Sequence, residues 1–255
     1  MMLLAIDTAT PQVGVALWDD HGPVASTRAT EGRRHGELLA PAIEAVLRVS
    51  GRTTADLTAI AVDVGPGLFT GLRVGLATGK ALAAGLRLPA IGVTSLEVVA
   101  HPHRRQGALV AAVVDARRRE VFRAVYRTDS GRLLEVAAPA VCTPDALASE
   151  LAALDADVLA VGDGARRYAD VLTAAPTGAG RGPNRIEIGG PGDAHPDPQV
   201  LAEIAAARAA AGPPRAPHPD TDTHAALYLR QADVRIGWDS HEVAATPPIG
   251  ASLRG

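Results

Sequence analysis

The residues of this chain best suited to chemistry lie in two turns. The first is Val64-Gly65-Pro66-Gly67-Leu68-Phe69-Thr70-Gly71-Leu72-Arg73, between the apolar run Ala59–Val62 and a long helical pattern. A strand, a glycine-rich turn and a helix in that order leave backbone N–H groups where an anion can sit. Gly65, Gly67 and Gly71 permit positive φ and close backbone approach, and Pro66 stiffens the turn. Two enzymatic versions of such a loop can be checked residue by residue. A Walker A loop needs Gly, four residues, then Gly-Lys-Ser/Thr; Gly79-Lys80 supplies the pair, but Val74 and Ala81 occupy the other two positions. A Rossmann fingerprint needs an acid at the end of the next strand, which instead reads Gly92-Val93-Thr94-Ser95. Both matches fail. The second turn, Asp7-Thr8-Ala9-Thr10, ends the first apolar run. An aspartate among hydroxyls can face a phosphate or accept hydrogen bonds from its own turn. Ala9 stands where glycine would admit a phosphate, which favours the second reading. Asp7, Thr8, Thr10, Gly65, Gly67 and Gly71 together read as the remnant of a nucleotide loop.

Other constellations are thinner. Among eight histidines, His101-Pro102-His103 is the metal-like arrangement, but no Glu or His at helical spacing completes it. It reads as solvated punctuation, and no metal site is expected. His35 reads as a helix-start residue. No Gly-x-Ser-x-Gly occurs, so there is no nucleophile elbow. The single cysteine, Cys142, excludes an intramolecular disulfide and a Cys-rich zinc site. Asp115-Ala116-Arg117-Arg118-Arg119-Glu120 is a basic turn between two strands. It is either a solvated hairpin tip or a place where Arg117, Arg118 and Arg119 meet RNA phosphate or a partner's acid.

The elements that must position these residues follow from apolar periodicity. Met2–Ile6, Val13–Trp18 and Val24–Arg28 read as an antiparallel three-strand meander. Gly36–Ser50 reads as an amphipathic helix ended by Gly51. Ala59–Val64 is a strand and Thr70–Gly85 a helix apolar nearly all round, with Gly71, Gly75 and Gly79 predicting close packing on both sides. Ala90–Val93 is the next strand, with a short helix after Ser95. A polar hinge at His101–Gly107 precedes a second series: strands Leu109–Asp115, Glu120–Arg127 and Leu133–Ala140, a helix capped by Thr143 over Asp145–Leu154, a strand Val158–Val161 and a helix Gly164–Leu172. Both halves open with a meander and continue helix, strand, helix, like a weak internal duplication. Ala174–Pro198 reads as a loop around one strand, Arg185–Ile188, and Gln199–Ala211 as an Ala-rich helix. The organisation is therefore an N-terminal lobe over 1–104, a C-terminal lobe over 105–212, a segment 213–235 packing back on the body, and a disordered tail 236–255.

Composition bounds the rest. With 255 residues, 47% hydrophobic and 3% aromatic, the core must be built from Ala, Val, Leu and Ile. A net charge of −3 gives no global pull toward nucleic acid, so RNA contact would need a local basic patch or a basic partner. The N-terminal run Met1–Ile6 has no basic residue and is too short for a signal peptide or a span, so the expectation is a cytoplasmic protein with no membrane contact.

Leu4-Ala5-Ile6-Asp7-Thr8-Ala9-Thr10, Gly14-Val15-Ala16-Leu17-Trp18, and His35 followed by Leu38-Leu39-Ala40-Pro41 resemble the bacterial TsaB family. So do Gly65-Pro66-Gly67-Leu68-Phe69-Thr70-Gly71-Leu72-Arg73-Val74-Gly75, Asp115-Ala116-Arg117 with Glu120-Val121-Phe122, and Tyr228-Leu229-Arg230. The resemblance implies an α/β, two-lobed actin-like fold of the acetate kinase, hsp70 and actin type, each lobe a mixed sheet with a meander and helices. In that type of fold an aspartate at the place of Asp7 holds magnesium. The resemblance also implies a part in making N6-threonylcarbamoyladenosine beside the tRNA anticodon. There the transfer from threonylcarbamoyl-AMP belongs to the paralogue TsaD, and TsaB is its non-catalytic dimerisation partner, joined by the ATPase TsaE. TsaD-like proteins carry two metal-binding histidines where this chain has Ser95 and Val99, groups that cannot replace two imidazoles. The implied cofactor is none for this chain alone, with ATP or ADP at the interface of the complex; tRNA is met through the complex, and in isolation the chain is either a homodimer or a monomer. The two long helices carry the implied interface, with Leu38, Leu39, Ile43, Leu47, Leu72, Leu76 and Lys80 as its expected residues; alternatively, these helices only cover their sheet. The competing functions are a stand-alone actin-fold ATPase or phosphotransferase, and a metallopeptidase.

Overall fold

A computed structural model describes residues 1–30, 34–104, 109–154, 156–174 and 185–212. The expected segments 213–235 and 236–255, and Tyr228-Leu229-Arg230, lie outside the described residues. Ten strands form two sheets among those that are described. The first sheet contains β1 (Met2–Asp7), β2 (Gln12–Asp19), β3 (Gly22–Thr30), β4 (Ala59–Asp63) and β5 (Ala90–Val93), in the order β3-β2-β1-β4-β5. The second contains β6 (Leu109–Arg117), β7 (Glu120–Asp129), β8 (Arg132–Cys142), β9 (Val158–Val161) and β10 (Ile186–Ile188), in the equivalent order β8-β7-β6-β9-β10. In each, the first three strands pair antiparallel and the last two join in parallel. The duplication expected from element order is thus present in strand order and direction.

Each central strand is buried on both faces, which explains why β1 reads Met-Leu-Leu-Ala-Ile without alternation. Leu4 and Ile6 face a core with Leu39, Ile43, Val46 and Leu47 of α1 (His35–Ser50) and Leu76 and Ala83 of α2 (Phe69–Leu86). Leu3 and Ala5 face the other way. In the second sheet one face is covered by α4 (Pro144–Ala152), α5 (Asp163–Arg167) and α6 (Ala169–Thr173). The single helix expected over Gly164–Leu172 is divided because Tyr168 takes a non-helical backbone, φ −114° and ψ 27°.

The lobe boundary is drawn by the sheets, but the helices cross it. Leu201, Ala202, Ile204 and Ala205 of α7 (Pro198–Ala211) pack on Leu3, Ala5 and Ala16 of the first sheet, although α7 was expected in the C-terminal lobe. Reciprocally, Leu96, Val99 and Ala100 of α3 (Ser95–Ala100) pack on Val110, Ala112 and Val114 of the second sheet. A linear boundary misplaces both, because each lobe needs one helix from the other half to cover its second face. Ion pairs reinforce the exchange: Arg208 of α7 binds Glu97 of α3, and Arg104 Nη2 lies 2.7 Å from Glu203 of α7. His101 and His103 are not solvated punctuation. His101 lies 3.5 Å from Glu203, and buried His103 lies 3.2 Å from Asp193.

The glycines of α2 bring it down onto β1 and β4, but on one side alone. A Cβ at Gly71 would collide with the Thr8 carbonyl oxygen, and one at Gly79 with the Val62 side chain, whereas Gly85 has open space around it. The opposite side of α2 is exposed at Arg73, Ala77, Lys80, Ala81 and Ala84, so the helix is not packed on both sides. Gly71→Ala should therefore lower stability by about 1–3 kcal/mol, since the collision is with backbone. Gly85→Ala should be neutral or stabilise by up to about 1 kcal/mol. Urea unfolding of the two variants checks both signs; equal effects would contradict the close approach.

Candidate functional site

Each sheet ends its parallel strands with acids. Asp7 closes β1 and Asp63 closes β4, while Asp115 lies near the end of β6 and Asp163 follows β9. Asp7 and Asp115 stand out in the sequence as parts of turns, whereas Asp63 and Asp163 do not. The repeated ending Ile6-Asp7, Val62-Asp63, Val114-Asp115 and Val161-Gly162-Asp163 was the available signal, because the carboxyl ends of parallel strands are where α/β folds place ligands.

Asp7 and Asp63 are both buried, at the ends of adjacent parallel strands, and interact through their carboxyls. Burial first, and the charge of Asp63 second, hold the Asp7 carboxyl well above the usual carboxylate range. Burial likewise pushes Asp63 up to about 6. Two carboxyls in one buried place share a proton because both cannot be charged there. Asp7 Oδ1 accepts the Ala9 N–H at 2.9 Å, the within-turn role read from sequence. Asp63 Oδ1 accepts from Gly65 N–H and from the Ser95 hydroxyl, each at 2.7 Å.

The two turns singled out for phosphate chemistry are closed on each other. Leu68 N–H donates to the Ala9 carbonyl at 2.7 Å, and the Thr8 hydroxyl donates to the Gly71 carbonyl at 2.8 Å. Gly67 lies so close to Ala9 that a Cβ would collide with its carbonyl oxygen. His35 Nε2 lies 2.7 Å from the Thr10 carbonyl, which can only accept, so this nitrogen carries the proton. His35 thus ties α1 to the same turn, a role beyond helix start. Thr10 Oγ1 accepts the Gln12 N–H at 3.4 Å, and Gln12 Nε2 donates to the Pro196 carbonyl at 2.7 Å. Gly67 and Gly71 of the first turn thus lie directly against Thr8 and Ala9 of the second, with Asp7, Thr10 and Gly65 beside them.

Ser95 and Val99, which stand where the resemblance places the histidines of TsaD-like proteins, are both engaged within the protein. The Ser95 hydroxyl is engaged by Asp63, and Val99 is packed in the core against the second sheet. Among the described residues no group of three or more His, Cys, Asp or Glu side chains is placed to hold a metal ion. Burial pushes the Cys142 thiol up, away from nucleophile chemistry.

Of the expected interface residues, Leu39, Ile43, Leu47, Leu72 and Leu76 are buried in the core. They cannot line a surface: apolar side chains at helical spacing were read as a sticky face when they are the face that covers the sheet. Leu38 is partly buried against the same core, and Lys80 is exposed. The outward face of α2 consists instead of Phe69, Arg73, Ala77, Lys80, Ala81 and Ala84, with the Arg73 guanidinium 3.8 Å from the centre of the Phe69 ring. Arg117, Arg118 and Arg119 are exposed at the β6–β7 tip, and Arg117 Nη1 lies 3.2 Å from Asp115.

Residues 27–238 match the family model described as TsaD: tRNA N6-adenosine threonylcarbamoyltransferase. The tRNA threonylcarbamoyladenosine biosynthesis protein TsaB of Escherichia coli (strain K12) is 36% identical over 174 residues, spanning 67% of this chain and 75% of that protein. The chain belongs to the TsaB family. A crystal structure of a Pseudomonas aeruginosa protein with similarity to peptidase YEAZ superposes with a TM-score of 0.70 at 30% identity, covering 84% of this chain and 94% of that one. ROK hexokinase from Thermus thermophilus superposes with a TM-score of 0.50 at 15% identity, covering 83% and 100%. That second likeness speaks for fold alone, and with the paired sheets it makes this TsaB-family chain a two-lobed actin-like protein. No described helix is long and apolar enough to cross a membrane.

The buried acid pair fixes a pH dependence. Both folded-state values lie above the unfolded ones, so the folded chain binds protons more tightly. The pair's contribution is therefore most favourable below the unfolded value and is lost as pH rises through about 6 and beyond. Asp7→Asn keeps an acceptor for Ala9 N–H and supplies a permanent donor to Asp63. It should stabilise the protein by about 1–3 kcal/mol at pH 7.5, with the gain shrinking toward pH 4.5. Thermal midpoints across that range check it; a gain independent of pH, or a loss at pH 7.5, would contradict the shared proton.

Proposed function

We propose that this protein is the non-catalytic partner of TsaD in the complex that transfers threonylcarbamoyl from threonylcarbamoyl-AMP to N6 of the adenosine next to the anticodon in tRNA. The observation that carries this reading is the closure of the Gly65–Gly71 loop on the Thr8–Ala9 turn in a TsaB-family chain. A glycine-rich loop that holds a phosphate keeps its N–H groups free for the ligand. Here Leu68 N–H and the Thr8 hydroxyl bind protein carbonyls instead. Ser95 and Val99, at the positions of the metal-binding histidine pair, support the same conclusion and speak against a metallopeptidase. This chain binds no cofactor alone; ATP or ADP belongs at the interface of the complex, TsaE joins it, and tRNA is met there. The setting is the cytoplasm.

The partner surface in this reading is the outward face of α2. It is built of small side chains at Ala77, Ala81 and Ala84 that let another helix approach closely, flanked by the Phe69–Arg73 stack and Lys80. The same face serves a homodimer in isolation. Purified protein and TsaD should co-elute at micromolar concentration, and reconstituted tRNA modification should depend on both. Ala77→Glu with Ala81→Glu should weaken the heterodimer at least 10-fold while shifting the thermal midpoint by no more than about 2 °C. Failure of the wild-type proteins to associate would overturn the partner reading. An unchanged affinity in the double variant would move the interface off α2.

A further inference from the structure

The β6–β7 hairpin turns over two residues. Arg117 faces Glu120 across the ladder, so Arg118 and Arg119 form the tip, and the register shifts at Ala116 just before it. Arg117, Arg118 and Arg119 have φ of 62°, 53° and 60°. That left-handed region is open to glycine and disfavours longer side chains. A two-residue tip of this kind calls for Asn-Gly, and the bulge position beside it for glycine. The chain builds a second tip with positive φ at both residues, between the facing Asp129 and Arg132, from Ser130 and Gly131. Three arginines stand where glycine-like residues would be easier to fold, so their side chains are kept for what they touch.

Their surroundings indicate what that is. Arg117 Nη1 lies 3.2 Å, and Arg167 Nη1 3.5 Å, from the same oxygen, Asp115 Oδ2. The Asp115 side chain is 4% exposed, whereas those of Arg117 and Arg167 are 51% and 57% exposed. One buried carboxylate thus draws two guanidinium groups from different elements together and leaves their outer edges in solvent. Asp115 is itself fixed, its N–H donating to Asp163 Oδ1 at 2.9 Å. Arg118 and Arg119 extend this surface at the tip, and Arg166 is exposed beside Arg167. The large apolar side chains that are exposed among the described residues are Met1, Val49, Phe69, Leu134 and Val136, none of them in this turn or in α5. The apolar core of a lasting protein interface is built from such groups. A surface of oriented guanidinium forks without them matches phosphate oxygens.

The geometry points to a phosphodiester-binding site in which Arg117 and Arg167, oriented by Asp115, and Arg118 and Arg119 hold backbone phosphates of an RNA. It rests on the reading that this chain works on tRNA beside TsaD, and adds where the chain itself touches the RNA. The local cluster supplies what the net charge of −3 does not.

The test uses the full chain, alone and with TsaD, and an unmodified tRNA transcript. Arg118→Asn with Arg119→Gly installs the residues the tip prefers, so its thermal midpoint should hold or rise and misfolding cannot explain a loss. This double variant should weaken tRNA binding about 10-fold or more near 0.1 M salt and reduce the slope of log affinity against log salt by about two. Arg167→Gln should reduce that slope by about one. Heterodimer affinity should not change. Unchanged tRNA affinity and slope in an intact heterodimer would overturn the site and leave the partner reading standing. A weakened heterodimer with unchanged tRNA binding would overturn it too, assigning the turn to an acidic protein surface. If the wild-type chain does not bind TsaD, the partner reading fails, and binding of the chain alone decides the site: salt-sensitive affinity lost in the double variant supports it, and its absence overturns it.

Discussion

The structure depends on one close approach: the Gly65–Gly71 loop lies against the Thr8–Ala9 turn with no room for a side chain between them. The Leu68–Ala9 and Thr8–Gly71 hydrogen bonds hold the two turns together, and His35 adds α1 through Thr10. From that contact α2 is laid down along β1 and β4, with Gly75 and Gly79 continuing the approach. Glycine is required here for packing of backbone on protein rather than backbone on phosphate. The same residue type at the same spacing serves either purpose, and only the neighbour decides which.

Closing the loop has an electrostatic consequence. It seals Asp7 and Asp63 away from water, and the pair responds by keeping a proton. A buried acid pair opposes stability at neutral pH, so it is no device for holding the fold. The second lobe keeps the equivalent acids, Asp115 and Asp163, but treats them differently. Arg117 and Arg167 gather around Asp115, and burial pushes Asp163 up. Duplicated lobes have thus diverged, one toward a closed turn beneath a helix and the other toward an exposed basic tip.

Much of the fold was legible in the sequence because the sheets are doubly covered. Uninterrupted apolar runs such as Leu109–Val114 can only be central strands, and Gly51 and Thr143 mark helix ends by backbone chemistry alone. What was not legible depends on partners far along the chain. The crossing of α3 and α7 between lobes leaves no local trace, since an apolar helix face does not say which sheet it covers. The interface residues were misjudged for the same reason: Leu72 and Leu76 look sticky on paper and are core, while the exposed alanines of α2 look inert. His101 and His103 read as solvated in the sequence because their partners, Glu203 and Asp193, lie about a hundred and about ninety residues away. In the candidate site, the glycines and Asp7 were found by local spacing, and Asp63 was missed because its partner is on another strand.

The proposed partner role requires that the closed loop leave this chain unable to hold a nucleotide by itself. Titration of Mg-ATP into the isolated full-length protein, followed by calorimetry, tests it most directly. The account predicts no saturable heat up to millimolar nucleotide, with the wild type and Asp7→Ala indistinguishable. Stoichiometric binding in the micromolar range that is lost in Asp7→Ala would contradict it.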